Sequence, residues 1–136
     1  MELVDANGPV VLKDPEKIAF MFVSAMEQIE QECFRAGNQI CTISEMVAGP
    51  VVKGQHIVGL KFDPKTDPNY TYTLTPPQEG AWQMNAEPKK PGLISFCLSA
   101  HNYFVTQVTY SRKGKATPTD TGFTSTGITG DSFRAY

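Results

Sequence analysis

The sequence is poor in the residues that most site chemistry needs. Its 136 residues include only two histidines and three cysteines, and no C-x-x-C pair, so the closely spaced ligands of a structural zinc site are missing. Twelve basic and 14 acidic residues give a formal net charge of -2, which argues against nucleic acid as a partner. No glycine-rich phosphate loop occurs. These absences predict a protein that is not an enzyme and that uses no metal or cofactor.

The chain also lacks long apolar runs. No stretch of 18 or more apolar residues occurs, so no membrane-spanning helix is predicted. The N-terminus has neither the basic segment nor the apolar core of a signal peptide, and we expect residues 1–13 to be an extended entry segment or the remnant of a longer chain. Residues 14–136 have the length of one domain and are predicted to form one.

The strongest local pattern predicts a long helix over residues 15–36. Asp14 suits the N-cap and Pro15 the first helical position, and Gly37 with Asn38 supplies a stop in the left-handed region. Apolar residues at helical spacing predict the core-facing side: Ile18, Phe22, Ala25, Ile29 and Cys33. Polar residues in the C-terminal half predict a solvent-exposed side: Glu27, Gln28, Glu30, Gln31, Glu32 and Arg35.

The N-terminal half of this helix is apolar on nearly all sides, which is unusual for a surface helix of a small domain. The residues concerned are Ile18, Phe20, Met21, Phe22 and Val23. Two interpretations remain open. This half of the helix is either deeply buried, or it packs against something outside the domain.

The rest of the chain predicts an antiparallel sheet. Thr42 and Glu45 have the spacing of a capping box, which indicates a short helix over 43–48. After residue 50 the apolar period changes to two, and strands are predicted within 56–110, at 56–62, 70–75, 81–87, 93–98 and 103–110. Short turns make these strands a four- to five-stranded antiparallel meander, with the long helix packed on its apolar face in an α+β domain. The Thr- and Gly-rich residues 111–136 are predicted to be a surface-hugging loop or mobile end, with a short strand at 133–136.

Two groups of residues resemble reactive sites only weakly. Cys97 and His101 could pair as nucleophile and base, but no glycine-rich elbow accompanies them. The loop containing Asp63, Asp67 and Asn69 offers oxygen ligands, but two prolines interrupt it and no acidic residue closes it as a calcium loop requires. Neither group changes the prediction of a protein without catalytic activity.

Four segments after the long helix follow a distinctive order. They are residues 41–50 (CTISEMVAGP), residues 70–75 (YTYTLT), residues 82–88 (WQMNAEP, ending in Ala-x-Pro) and residues 91–97 (PGLISFC, with a cysteine in the strand). In this order, over about residues 16–110, the chain resembles the soluble domain of type IV pilin-like proteins, including the pseudopilins of type II secretion. Residues 130–136 (GDSFRAY) loosely match the Arg-Tyr end of that family.

The resemblance implies a pilin-like fold and a structural role in protein secretion or cell adhesion. The protein would be a subunit of an extracytoplasmic filament or secretion pseudopilus, located in the periplasm or outside the cell and associated with a pilus. Its partners would be other pilin or pseudopilin subunits, of the same or another kind. The assembly face would be the apolar helix start: Ile18, Phe20, Met21, Phe22 and Val23. Contact with a membrane would come only through an upstream helix, which residues 1–13 do not match.

The resemblance also implies a disulfide. Cys41 and Cys97 match the commoner bridging positions of the family, which would leave Cys33 as a buried helix thiol. A bridge between Cys33 and Cys41 is the competing arrangement. Either bridge implies an oxidising compartment.

A different function is open to the same fold. A helix on a meander can also be a small binding module for a ligand or partner, with a pocket between helix and sheet. Phe22, Met26, Tyr72 and Trp82 would then line the pocket.

Overall fold

The structure, a computed structural model, describes residues 4–5, 8–78, 81–101, 104–112 and 114–116. Over these ranges the predicted α+β class is confirmed, with one long helix on a four-stranded antiparallel sheet. Two short hairpins and a second, short helix accompany them. The elements in chain order are β1 (Val4–Asp5), β2 (Gly8–Pro9), α1 (Asp14–Gly37), α2 (Ile43–Ala48), β3 (Val51–Val52), β4 (Gln55–His56), a 3-10 turn (Pro64–Thr66), β5 (Tyr70–Gln78), β6 (Ala81–Pro88), β7 (Ser95–His101) and β8 (Phe104–Ser111).

Both predicted helices form close to their predicted bounds. Helix α1 begins one residue early, so that Lys13 rather than Asp14 is the N-cap, and Glu16 accepts a hydrogen bond from the Lys13 backbone N–H at 2.6 Å. Its predicted stop is confirmed, because Asn38 is left-handed with a φ of 53° and donates its N–H to the Phe34 carbonyl. Helix α2 has the predicted reciprocal capping box between Thr42 and Glu45. Among the described residues, no helix combines the length and apolar character needed to cross a membrane.

The main sheet is the predicted meander, with strand order β5-β6-β7-β8 and every neighbouring pair antiparallel. Alternation along the strands separates its two faces. Ala86, Phe96 and Tyr110 are in register on three neighbouring strands and belong to the core beneath α1. Phe20 of α1 stacks on Phe96 with ring centroids 5.9 Å apart.

The opposite face of the sheet is polar. Thr73, Asn85, Cys97 and Thr109 lie in register across all four strands, and all but Thr73 are buried. The Asn85 side-chain amide donates to the Ala116 carbonyl at 3.0 Å, so residues 114–116 lie against this face. Most of the predicted Thr- and Gly-rich end, including the strand at 133–136, lies outside the described residues.

The strand predicted over 56–62 is wrong. Only Gln55–His56 forms a strand, and it pairs with Val51–Val52 in a short hairpin. The next residues bond to α2 and its end instead: Ile57 N–H donates to the Pro50 carbonyl and Leu60 N–H to the Met46 carbonyl, both at 2.8 Å. Gly59 permits this approach, because a Cβ there would lie 2.8–2.9 Å from the Gly49 nitrogen and the Met46 carbonyl oxygen.

Candidate functional site

The predicted assembly face on α1 is divided between the core and the surface. Phe20 and Val23 point into the core and are almost fully buried. Phe22 is half-buried and stacks on Phe62, with ring centroids 3.7 Å apart. Deep burial therefore explains part of the apolar helix start.

Ile18 and Met21, in contrast, point away from the domain, so the prediction that Ile18 lies on the core-facing side is wrong. Their side chains are 44% and 50% exposed, three residues apart on the helix. Half-buried Ala25 follows one turn later on the same side, and we call Ile18, Met21 and Ala25 the apolar stripe. Further along this side the exposed residues become polar, with Glu32 as an example. The outer side of α1 thus changes from apolar to polar between its two halves.

Three acidic residues of α1 are buried, which the sequence pattern did not predict. Glu16 and Glu27 are 0% exposed and Glu30 is 1% exposed. The prediction of a solvent-exposed side at the C-terminal half is therefore wrong for Glu27, Glu30 and the 4% exposed Gln31. Gln31 donates a hydrogen bond to one carboxylate oxygen of Glu27, one turn earlier.

Glu16 joins the start of α1 to the sheet. One carboxylate oxygen accepts the Lys13 N–H, and the other accepts the Ile94 N–H at 2.8 Å. Ile94 immediately precedes β7, which occupies an inner position in the sheet. A single side chain thereby caps the helix and fixes its position relative to residues 78 positions away.

Near the other end of α1, Cys33 and Cys41 form a disulfide, with Cα atoms 6.4 Å apart. This pairing replaces the expected bridge between Cys41 and Cys97. Cys97 lies on the polar face of β7, whereas its neighbours Phe96 and Leu98 face α1. The sheet itself therefore separates the Cys97 thiol from Cys41. A disulfide suggests an oxidising, extracytoplasmic location.

Glu30 lies beside this disulfide. One of its carboxylate oxygens accepts the Cys41 backbone N–H at 2.8 Å. Within the part of the chain that the structure describes, its other oxygen, Oε2, has no hydrogen-bond partner although it is buried. Burial raises the pKa of Glu30 to about 8, with smaller contributions in the same direction from Glu45 and Glu27, while the Cys41 N–H opposes the shift.

A surface groove of about 380 Å³ reaches Cys41 from outside. It lies between the chain that enters α2 and the edge strand β5, and its lining is Ile40, Cys41, Thr42, Ile43, Ser44, Tyr72, Thr73 and Leu74. Cys41 borders this groove but is itself 0% exposed.

The interface between α1 and the sheet, where the alternative function requires a pocket, is filled by side chains. Met26 is 0% exposed and Trp82 is 3% exposed, and both belong to the core. Phe22 lies 5.6 Å from Tyr72 between ring centroids. The surface groove beside Cys41 is a separate feature that shares only Tyr72 with the predicted lining.

The structure describes most of the two groups that weakly resemble reactive sites, the loop containing Asp63 and Asp67 and the pair Cys97 and His101. Asp63 accepts the Lys65 N–H and thereby caps the 3-10 turn. Asp67 accepts the Asn69 N–H through one oxygen and the Tyr72 hydroxyl through the other. These carboxylates stabilise a turn rather than converging on one point. Cys97 is buried on the polar face of the sheet, and the side chain of His101 lies outside the described residues.

Comparisons of the chain with protein-family models, with curated proteins and with solved structures find no match. The geometry of the apolar stripe and of the cluster around Glu30 is therefore the basis for any assignment of function.

Proposed function

We propose that the protein is a structural subunit of an extracytoplasmic filament or secretion pseudopilus, similar to a pilin or pseudopilin. It acts by assembling with other subunits, through the outer side of α1, and performs no chemistry of its own. The arrangement of one long helix on a four-stranded meander agrees with this proposal. So does the disulfide, because disulfides persist outside the cytoplasm.

The observation that carries the proposal is the apolar stripe. Ile18 and Met21 are large apolar side chains that remain about half exposed, although other apolar residues of α1, among them Phe20, Val23 and Met26, are packed in the core. Residues spaced three and four apart form a ridge that fits the groove of another helix. A helix from a neighbouring subunit would cover this ridge and remove its apolar area from water. Polar residues farther along the same side limit the contact to the N-terminal half.

The test places a photocrosslinking amino acid at position 21 of the full chain in the cell that produces it. A probe at Met21 is expected to give a covalent adduct with a second subunit, identified by peptide mass spectrometry. A probe at Glu32 is the matched control, since it lies three turns further along the same side of α1 and is exposed. An adduct of equal yield from both positions, or none from position 21, would contradict the proposal.

A second variant separates assembly from folding. Met21→Glu places a charge in the apolar stripe and is expected to abolish the adduct and the filament. Because Met21 is 50% exposed, the free energy of unfolding should change by less than about 0.5 kcal/mol. A variant that assembles normally would show that the stripe is not the contact surface.

A further inference from the structure

We propose that Glu30, Cys33 and Cys41 form a binding site for a thiophilic divalent cation such as Zn²⁺ when the disulfide is reduced. The three ligand atoms, one carboxylate oxygen and two sulfurs, all lie within 4.8 Å of one another, and all three residues are buried. Cys33 follows Glu30 by three residues and is on the same side of α1. Cys41 reaches them from the chain that enters α2. The site uses different residues from the apolar stripe, so its test does not depend on the assembly of subunits.

The second observation is the carboxylate itself. Glu30 is 1% exposed, and among the described residues its Oε2 has no hydrogen-bond partner. A buried acceptor without a donor is costly, and native proteins keep few of them without a reason. The Cys41 N–H holds the other oxygen and so fixes the orientation of the carboxyl group beside the two sulfurs. In metal sites, hydrogen bonds from neighbouring groups orient the ligands in the same way.

The spacing of the ligands suits a tetrahedral cation. Two thiolates bound to Zn²⁺ at about 2.3 Å lie roughly 3.8 Å apart at a tetrahedral angle. Reduction lets the sulfurs separate to this distance while α1 and the chain entering α2 keep their positions. Three protein ligands leave a fourth position for water. The groove that Cys41 borders lies next to the site on its outer side.

The local charge also favours a cation. Once deprotonated, the two thiols and the Glu30 carboxyl would carry three negative charges, and Glu27 and Glu45 act electrostatically on Glu30 from the neighbouring turn and from α2. A divalent ion neutralises most of this buried charge. Thiolate ligands select a borderline or soft cation such as Zn²⁺ over Mg²⁺ or Ca²⁺.

The redox step is a simple exchange. A dithiol reductant breaks the Sγ–Sγ bond, leaves as its own cyclic disulfide, and transfers its two thiol protons to Cys33 and Cys41. Binding of the cation then releases these two protons to solvent, together with the Glu30 proton where that carboxyl is neutral. Oxidation to the disulfide abolishes the site. The same two sulfurs thus either form the bridge or bind the cation.

The test adds Co²⁺ to the full chain before and after reduction by a trialkylphosphine, which is converted to its oxide with oxygen from water. The reduced protein is expected to bind one Co²⁺ with the visible absorption of tetrahedral thiolate coordination, and Zn²⁺ should displace it. The oxidised protein should bind none. Binding that is equal in both states, or absent after reduction, would refute the site.

Two variants identify the ligands. Glu30→Gln keeps an acceptor for the Cys41 N–H and should weaken binding by about tenfold or more. Cys97→Ser should leave binding unchanged, because Cys97 lies on the opposite face of the sheet. Unchanged affinity in Glu30→Gln, or lost affinity in Cys97→Ser, would overturn the assignment.

Circular dichroism covers the case in which reduction unfolds the chain. Zn²⁺ should then restore the folded spectrum, since a metal that binds only the folded state stabilises it. A reduced chain that Zn²⁺ does not refold would count against the site.

Discussion

Replacing Glu16 should destabilise the domain far more than replacing any exposed acidic residue of α1. Its two carboxylate oxygens accept the N–H groups of Lys13 and Ile94 at 2.6 and 2.8 Å, and the side chain is 0% exposed. Hydrogen bonds to a charged group contribute about 1.5–3 kcal/mol each. Glu16→Gln keeps one acceptor but turns an amide N–H toward a backbone donor. This variant should therefore lower the free energy of unfolding by about 1.5–3 kcal/mol. Glu16→Ala leaves both donors without an acceptor and should cost about 3–6 kcal/mol.

Urea unfolding followed by circular dichroism measures these losses. With a slope of about 2 kcal/mol per molar, Glu16→Gln should lower the midpoint by about 1 M. Glu16→Ala should lose a large part of the 5–15 kcal/mol that is typical of a whole domain. Glu32→Gln, on the exposed side of the same helix, should change the free energy of unfolding by no more than about 0.5 kcal/mol. If Glu16→Gln and Glu32→Gln unfold at the same urea concentration, the carboxylate does not hold α1 to the sheet.

Three further predictions concern the other end of the domain. Peptide mapping without reduction should recover Cys33 linked to Cys41, and reduction should lower the free energy of unfolding by about 2.5 kcal/mol for a loop with a sequence separation of 8; recovery of a different pair would contradict the structure. Because burial raises the pKa of Glu30 from 4.5 to about 8, the folded chain keeps a proton that the unfolded chain has lost. Stability of the oxidised protein should therefore fall as pH rises from about 5 to 8, by up to about 1.4 kcal/mol per pH unit, and Glu30→Gln should flatten this dependence in urea titrations; parallel curves would count against it. Gly59→Ala should lower the free energy of unfolding by about 1–3 kcal/mol because its new Cβ meets backbone atoms, whereas the Cβ of Gly37→Ala meets only side-chain atoms of Val52 and Lys53 and should cost less; thermal unfolding that ranks the two variants in the reverse order would oppose this account.

The elements that could be predicted from the sequence are those whose signals are local. Strict alternation in residues 70–75 indicates which side of the sheet is buried, and the structure confirms it for Tyr70, Tyr72 and Leu74. The capping box between Thr42 and Glu45 is also contained within four residues. Such patterns need no information about distant parts of the chain.

The buried carboxylates could not be predicted in the same way, because their partners are distant in sequence. Glu16 is satisfied by a backbone N–H at Ile94, and Glu30 by one at Cys41. A periodicity analysis counts every glutamate as exposed. One signal was available: Glu30 lies seven residues after buried Val23 and three before Cys33, on the core side of α1.

The incorrect strand over 56–62 and the incorrect disulfide have related causes. The alternating apolar residues around Gly59 suggested a strand, but the close approach of two backbones depended on the missing side chain of a glycine. The prediction of a bridge between Cys41 and Cys97 rests on the cysteine positions of the family. It takes no account of the side of β7 on which Cys97 lies. Alternation in the predicted strand already placed Cys97 opposite to Phe96 and Leu98.

The bond between Glu16 and Ile94 also determines how the domain would respond to mechanical tension. Force applied along α1 from its first turn reaches the chain at the start of β7, an inner strand with partners on both sides. Separating this end of the helix from the sheet then requires the hydrogen bond between Glu16 and Ile94 to break together with the packing of Phe20 on Phe96. We therefore expect the start of α1, where the apolar stripe lies, to stay attached to the sheet when the helix is pulled.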